Sequence, residues 1–330
     1  MFSSGWPTGR RGEPGQRRRS PGGNRSGLHR ATPTTWTVNR ETVGVVMVLF
    51  AAAGFGTLAI FGKFAEEAGL NTTTLLTFRF VVAAVLLWLG LVVWGRARLL
   101  SGRRLRAALA LGVLYATFSA LFFWGLLFVP AGVAGIAFYT YPVGVYVLSV
   151  TFLDEGLSGR KLVALVFALG GVALVARADP GAVDLFGVAL IVLAAAGYAG
   201  YITGSRAAVA SVSADILTGV ALIATALVFV AFGLGSGRLF LPTTVDQWVP
   251  ILGTAVLGTT LPLFLYVSGL ERIEASRAAV TSTVEPVVTV LLGISILDEA
   301  FTLSLVSGGA LVLGGVLLIQ TDPRALLDAA

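Results

Sequence analysis

The feature that most constrains this chain is a succession of ten apolar runs separated by charged residues, glycine or proline. They lie at about 42–62, 72–94, 106–129, 132–153, 160–177, 184–205, 214–234, 248–270, 276–297 and 302–320. Most approach the roughly 20 residues that a helix needs to cross a bilayer. Because 56% of residues are hydrophobic and only 12% charged, one soluble core could not bury them. The sequence predicts an all-α polytopic membrane protein with ten transmembrane helices.

The chain contains an internal repeat. A shift of 144 positions places YPVGVYVLSVTFLDE (141–155) over EPVVTVLLGISILDE (285–299), and LGGVALV (169–175) over LGGVLLI (313–319). A unit of five spans is odd, so the second copy enters the membrane from the opposite side. We expect two inverted five-helix repeats, at 41–178 and 183–320, an arrangement typical of alternating-access transporters.

Charge predicts the orientation. Residues 1–40 hold eight arginines among glycine, proline and serine, which predicts a disordered basic tail. With this tail in the cytoplasm, 19 of the 23 basic residues fall on the cytoplasmic side. We therefore expect a multi-pass protein of the cell membrane with both termini cytoplasmic, including a short C-terminal segment at 321–330. The basic balance then reflects topology and the lipid bilayer rather than nucleic acid.

The sequence lacks the residues that several kinds of chemistry require. The chain has no cysteine, and its one histidine is His29 in the tail. Thiolate metal sites, cysteine nucleophiles and histidine acid–base catalysis are therefore excluded. We expect no metal and no cofactor.

The repeat motifs resemble those of a known family. In each copy a mid-helix proline (Pro142, Pro286) is followed twelve residues later by the acidic residue of LDE and then by a glycine-pair span, and FRF stands at 78–80. The region 44–320 is similar to the EamA family of the drug/metabolite transporter superfamily. The resemblance implies a ten-helix secondary transporter with a central cavity lined by the first, third, fourth, sixth, eighth and ninth spans. Similar members typically export amino acids or other small metabolites.

Glu285 is the only acidic residue away from the ends of a predicted span, and it lies near the middle of its span. A lone carboxylate at that depth is costly, so it should face a wet cavity, pair with a cation or be protonated. Thr281, Ser282 and Thr289 share its helix face by spacing. We favour binding of a substrate amine or a coupling proton over a structural hydrogen-bonded carboxyl. The equivalent residue of the first repeat is Tyr141, so the site should be asymmetric.

Arg79 lies roughly 10 Å from the outer end of the second span, at about 1.5 Å per residue. We favour an interpretation in which it anchors helix ends by reaching carbonyls or lipid headgroups. Binding of a substrate carboxylate is the alternative.

Three prolines predict helix kinks: Pro142, Pro286 and Pro262 remove hydrogen bonds to the carbonyls of Phe138, Ser282 and Gly258. At these kinks the free carbonyls could bind substrate or water, or the kink could act as a hinge. Alternatively the kinks are static, and nearby hydroxyls donate to the free carbonyls. Aromatic side chains could form a cavity wall, with ordinary packing as the alternative; the candidates are Tyr139, Tyr141, Tyr198, Tyr201 and Tyr266. The acidic pair Asp298 and Glu299 is interpreted as solvated or as a cap of the following helix, with a gating contact as the alternative.

The function predicted is a secondary transporter that exports a small solute, such as an amino acid, by alternating access between the repeats. An importer, or a proton-coupled drug or cation exchanger of the same superfamily, is the alternative. An intramembrane enzyme would need a catalytic constellation, and the spans offer only Glu285 and Arg79. A channel would usually need equivalent groups around a pore. The partners predicted are the solute and, in the proton-coupled alternative, protons; the oligomeric state is left open.

Overall fold

The computed structural model describes residues 40–152, 159–177, 181–209, 212–270, 272–273, 278 and 281–320. The predicted basic tail, apart from Arg40, and the C-terminal segment 321–330 lie outside the described residues. Every regular element among them is helical.

The first half of the chain supplies five spans. They are the first (α1, Arg40–Gly56, and α2, Leu58–Glu67), the second (α3, Thr72–Val93), the third (α4, Gly102–Gly125, then a 3₁₀ turn at Leu126–Phe128), the fourth (α5, Ala131–Phe138, and α6, Tyr141–Phe152) and the fifth (α7, Gly159–Val175).

The second half supplies the other five. They are the sixth (α8, Leu185–Val209), the seventh (α9, Ala214–Ser236), the eighth (α10, Val245–Leu252, a π-helical turn at Gly253–Thr260, and α11, Leu261–Leu270), the ninth (α12, Val284–Ile296) and the tenth (α13, Leu303–Gln320).

These elements confirm the ten-helix membrane fold. Seven spans of the described chain are long and apolar enough to cross a bilayer, and three shorter apolar helices occur at Leu162–Val175, Val284–Ile296 and Leu303–Leu318. Many of their large apolar side chains, such as Phe50, Leu89 and Leu227, are more than half exposed. Such exposure is expected where lipid replaces water around the bundle.

The spans pack mainly across the two repeats. The third span packs against the sixth and seventh, and the equivalent eighth span packs against the first and second. The fourth packs against the sixth as the ninth packs against the first, while the second and seventh, the fourth and ninth, and the fifth and tenth pair with their own counterparts. Exchanging each span with the one five places along thus reproduces the packing, as two inverted repeats require.

Small residues allow the closest of these contacts. A Cβ on Gly171 of the fifth span would lie 2.6 Å from the carbonyl oxygen of Gly308 in the tenth span. A Cβ on Gly315 of the tenth span would lie 2.7 Å from the carbonyl oxygen of Ala164. The second glycine of each predicted pair therefore lets the two backbones touch.

Loops predicted to share a membrane face contact one another. Arg96 after the second span forms a 3.2 Å ion pair with Asp215 at the start of the seventh. At the opposite face Asn71 donates a 2.7 Å hydrogen bond to the carbonyl of Arg238. These contacts are those expected if each of the intervening spans crosses the membrane once.

In the part of the chain that the structure describes, helix breaks interrupt four spans, and three of these breaks precede a predicted kink proline. Pro142 and Pro286 lie in the first turns of α6 and α12, and Pro262 is the second residue of α11 after the π-helical turn. Proline suits a first helical turn because the N–H that it lacks would have no partner there. The expectation that Pro286 frees the carbonyl of Ser282 is wrong, because that carbonyl accepts a 3.0 Å hydrogen bond from the N–H of Glu285. The fourth break, at Thr57 in the first span, was not predicted.

Candidate functional site

A cavity lies where the two repeats meet. Its cavity volume is about 80 Å³. Its walls come from the six spans expected from the resemblance and from the second span. Seven of the fifteen lining residues are aromatic: Phe55, Tyr115, Phe118, Phe122, Phe123, Phe138 and Tyr198. The other polar side chains of the wall are Arg79, Ser119, Glu285 and Thr289.

Glu285 is the acidic residue of this cavity. It is the second residue of α12, which begins just after the break in the ninth span, and an N-terminal helix position favours negative charge. Within the described part of the chain its carboxylate forms neither a hydrogen bond nor an ion pair. Since a charged group inside a membrane protein usually pairs or meets water, this carboxylate is available to a ligand.

Thr289 lies one turn after Glu285 and also lines the cavity. Its hydroxyl donates to the carbonyl of Gly56, 2.9 Å away at the end of α1, and lies 3.2 Å from the carbonyl of Glu285. The same bond therefore ties the ninth span to the first beside the carboxylate.

The other two predicted polar residues of the ninth span lie outside the cavity lining. The buried Ser282 hydroxyl donates to the carbonyl of Ala278 at 2.9 Å, and Thr281 is half-buried. The predicted polar stripe is thus divided by the break, and Glu285 and Thr289 are the members brought together at the cavity.

Arg79 is the cationic residue of the cavity. Its side chain is 3% exposed, and its Nε donates a 3.1 Å hydrogen bond to the hydroxyl of Thr259. Its guanidinium carbon lies 4.7 Å from the ring centre of Phe80 and 5.2 Å from that of Phe123. The favoured interpretation, in which Arg79 reaches carbonyls or lipid headgroups, was wrong: the side chain lies inside the bundle.

Thr259 is a site residue that sequence reasoning missed. It belongs to the π-helical turn of the eighth span, where its hydroxyl donates to the carbonyl of Thr254, five residues earlier, at 2.8 Å. That donation uses its proton and leaves oxygen lone pairs for Arg79. The run GTAVLGTT carries no pattern that separates this threonine from its neighbours.

The predicted tyrosines differ in their access to the cavity. Tyr198 lines it, stacks on Phe138 at 5.4 Å and meets the edge of Tyr141 at 4.7 Å. Tyr141 and Tyr201 stand behind it, the latter 5.2 Å from the cavity residue Tyr115. The structure therefore gathers these rings into one layer.

Tyr139 and Tyr266 are set further back. Tyr139 is 1% exposed, and its hydroxyl is buried with no hydrogen-bond partner among the described residues. Tyr266 packs against Val48, Ile273 and Ala278. The phenylalanines of the wall were not predicted, because phenylalanine in a span looks the same whether it faces lipid or a cavity.

Glu299 joins the repeats at the predicted outer face. Its carboxylate accepts hydrogen bonds from the backbone N–H groups of Ala131 and, at 2.8 Å, Gly132, at the start of α5. The interpretation as a solvated acid or a cap of the following helix was wrong. The helix that it caps belongs to the other repeat.

Comparison with known proteins decides the family. The model of the EamA-like transporter family matches residues 42–177 and 185–321. The chain belongs to this family. An EamA chain of this kind is a membrane transporter rather than an enzyme, and its cargo is a small solute.

Relatives agree over most of this EamA chain. The Bacillus subtilis protein called uncharacterized transporter YcbK is 26% identical over 298 residues, which cover 86% of this chain and 93% of the relative. An uncharacterized transporter of Archaeoglobus fulgidus is 30% identical over 204 residues, 59% of this chain and 70% of the relative. A crystal structure with 18% identity and a TM-score of 0.61 covers 86% of this chain and 98% of its own, and shows the same fold.

Proposed function

We propose that this EamA transporter exports a small metabolite with an amino group, an amino acid or a similar compound, by alternating access. The observation that carries the proposal is the carboxylate of Glu285 in the cavity between the repeats, without a partner among the described residues. In a site of low dielectric the electrostatic attraction between a carboxylate and a cationic group is stronger than in water.

The packing supports alternating access. Because the main contacts join spans of different repeats, a rocking motion of one set against the other would open the cavity to each face in turn. The breaks in the fourth and ninth spans, beside Tyr141 and Glu285, offer places where such motion can be taken up. Location in the cell membrane with both termini cytoplasmic belongs to the same proposal and rests on the positive-inside distribution.

The test compares metabolites in the medium of cells producing the wild type with those of cells producing Glu285→Gln at equal membrane levels. Glu67→Gln, the same chemical change at an exposed residue outside the cavity lining, is the matched control. We expect wild type and Glu67→Gln to enrich the same small set of amines and Glu285→Gln to enrich none. Equal enrichment by Glu285→Gln would remove the carboxylate from the mechanism.

Coupling to protons is the second candidate role of Glu285, because it is the one acidic residue lining the described cavity. Transport by the wild type should then depend on the pH gradient, and transport by Glu285→Gln should not. An unchanged pH dependence in Glu285→Gln would assign proton coupling elsewhere.

A further inference from the structure

The terminal nitrogens of Arg79 carry hydrogen-bond donors that remain unused by the described residues of the cavity. A guanidinium has five N–H donors, and the structure uses one of them, at Nε, for Thr259. Among the described residues Nη1 and Nη2 have no hydrogen-bond partner, although the side chain is 3% exposed and lines the cavity.

The cost of this arrangement points to a missing anion. Removing a guanidinium from water is expensive unless hydrogen bonds and an opposite charge replace its hydration. The rings of Phe80 and Phe123 supply part of the replacement through their faces. Glu285 lines the same cavity but forms no ion pair with Arg79, so the guanidinium has no charged partner among the described residues.

Thr259 fixes the direction in which Arg79 presents its donors. Its own proton is committed to the carbonyl of Thr254, so its oxygen accepts from Nε and holds that edge of the guanidinium against the eighth span. The remaining edge carries Nη1 and Nη2 as a parallel pair, which matches the two oxygens of a carboxylate.

We propose that Arg79, positioned by Thr259, is an anion subsite of the cavity that binds the carboxylate of the transported solute. The subsite takes a compact monoanion rather than a phosphate dianion, because Arg79 is the single cation in the described cavity lining. The inference rests on the proposed function, and it assigns the second end of a solute whose cationic group binds Glu285.

The test uses the purified full chain in detergent and three panels of probes: the standard amino acids, the amines left after their decarboxylation, and the carboxylates left after their deamination. Binding is measured as the shift of the thermal unfolding midpoint with probe concentration. In the wild type we expect at least one amino acid to bind, and its amine to bind about tenfold or more weakly, the effect of losing one charged hydrogen-bonded pair.

Variants then assign that preference. Arg79→Gln should bind the amino acid and its amine equally, Arg79→Lys should recover part of the preference, and Thr259→Val should lose most of it. Thr260→Val is the matched control, because Thr260 makes the same kind of bond, to the carbonyl of Ala255 at 2.9 Å, in the same π-helical turn without contacting Arg79. It should keep the full preference.

Two results would overturn the subsite: no carboxylate-bearing probe binds the wild type, or the preference for carboxylates survives in both Arg79→Gln and Thr259→Val. In either case export that depends on Glu285 would leave the proposed function standing. Binding that depends on Arg79 without export from cells would instead support the subsite and contradict export.

Discussion

Glu285 and Tyr141 occupy equivalent positions in the two repeats, yet they serve the cavity differently. Glu285 lines it with a carboxylate, whereas Tyr141 lies behind Tyr198 in the aromatic layer. A two-fold fold thus contains a site with a carboxylate on one side only. Such a site can bind an unsymmetrical solute in one orientation, which two identical halves could not do.

At the residue scale, the buried hydroxyl of Tyr139, which has no hydrogen-bond partner among the described residues, allows the effect of a substitution on stability to be predicted. A buried hydroxyl without a hydrogen bond costs about 1–3 kcal/mol. Tyr139→Phe should therefore raise the free energy of unfolding by about 1 kcal/mol, seen as a higher thermal midpoint in detergent. A lower midpoint would mean that the hydroxyl has a partner, such as a bound water, that the substitution removes.

The sequence predicted the location of the Glu285 side chain better than that of the Arg79 side chain. A carboxylate in the middle of a span has few explanations, so its place at the cavity followed from its depth. Arg79 has a long side chain near a span end, and its depth alone fits both the lipid surface and the bundle interior. The helix face decides between them, and the second span is apolar all round, so its sequence does not show which face is buried.

At the scale of elements, irregular helix geometry gathers near the cavity. The breaks before α6 and α12 could be predicted because proline marks them. The π-helical turn could not. Its recognisable side-chain feature is that the hydroxyls of Thr259 and Thr260 donate to carbonyls five residues back, and threonine hydroxyls also donate to carbonyls of the preceding turn in regular helices. Close packing of Gly54 of the first span beside Pro262 accompanies this turn.

At the scale of elements, we predict that the contact of Glu299 with α5 stabilises the protein. Its carboxylate satisfies two backbone N–H groups at the start of α5, and a Cβ on Gly132 would come within 3.1 Å of it. Glu299→Gln places an amide NH₂ against one of these donors and loses the charge. We expect the free energy of unfolding to fall by about 1–3 kcal/mol, measured as a lower thermal midpoint.

Asp298→Asn is the control for this change. Asp298 is exposed and has a φ of 52°, which asparagine adopts readily, so its midpoint should stay unchanged. Equal effects of the two substitutions would mean that general charge in the loop, rather than the cap on α5, sets the stability.

At the scale of the whole molecule, the spans and the repeat followed directly from the sequence. Apolar runs predicted the helices to within a few residues at most ends, and the 144-residue shift predicted their two-fold relation. The pairing of spans across the repeats was not predicted, because apolar helices of similar composition carry little information about which neighbour each one meets.

The orientation can be tested with single cysteines, because the natural chain has none. Ser101→Cys lies before the third span and Ser236→Cys at the end of the seventh, and both positions are exposed. On intact cells an impermeant maleimide should label Ser236→Cys, and it should label Ser101→Cys only after the membrane is opened. Labelling of both from outside would contradict the proposed topology.

Packing across the repeats also has a consequence for biosynthesis. The third span ends at Phe128, but its partners extend to Ser236, so at about 5–20 residues per second it stays in the bilayer for on the order of ten seconds before they are complete. During this interval lipid or a membrane chaperone covers the surface that later becomes the centre of the bundle. The guanidinium of Arg79 remains without its hydrogen-bond acceptor for longer still, because Thr259 belongs to the eighth span to be synthesised.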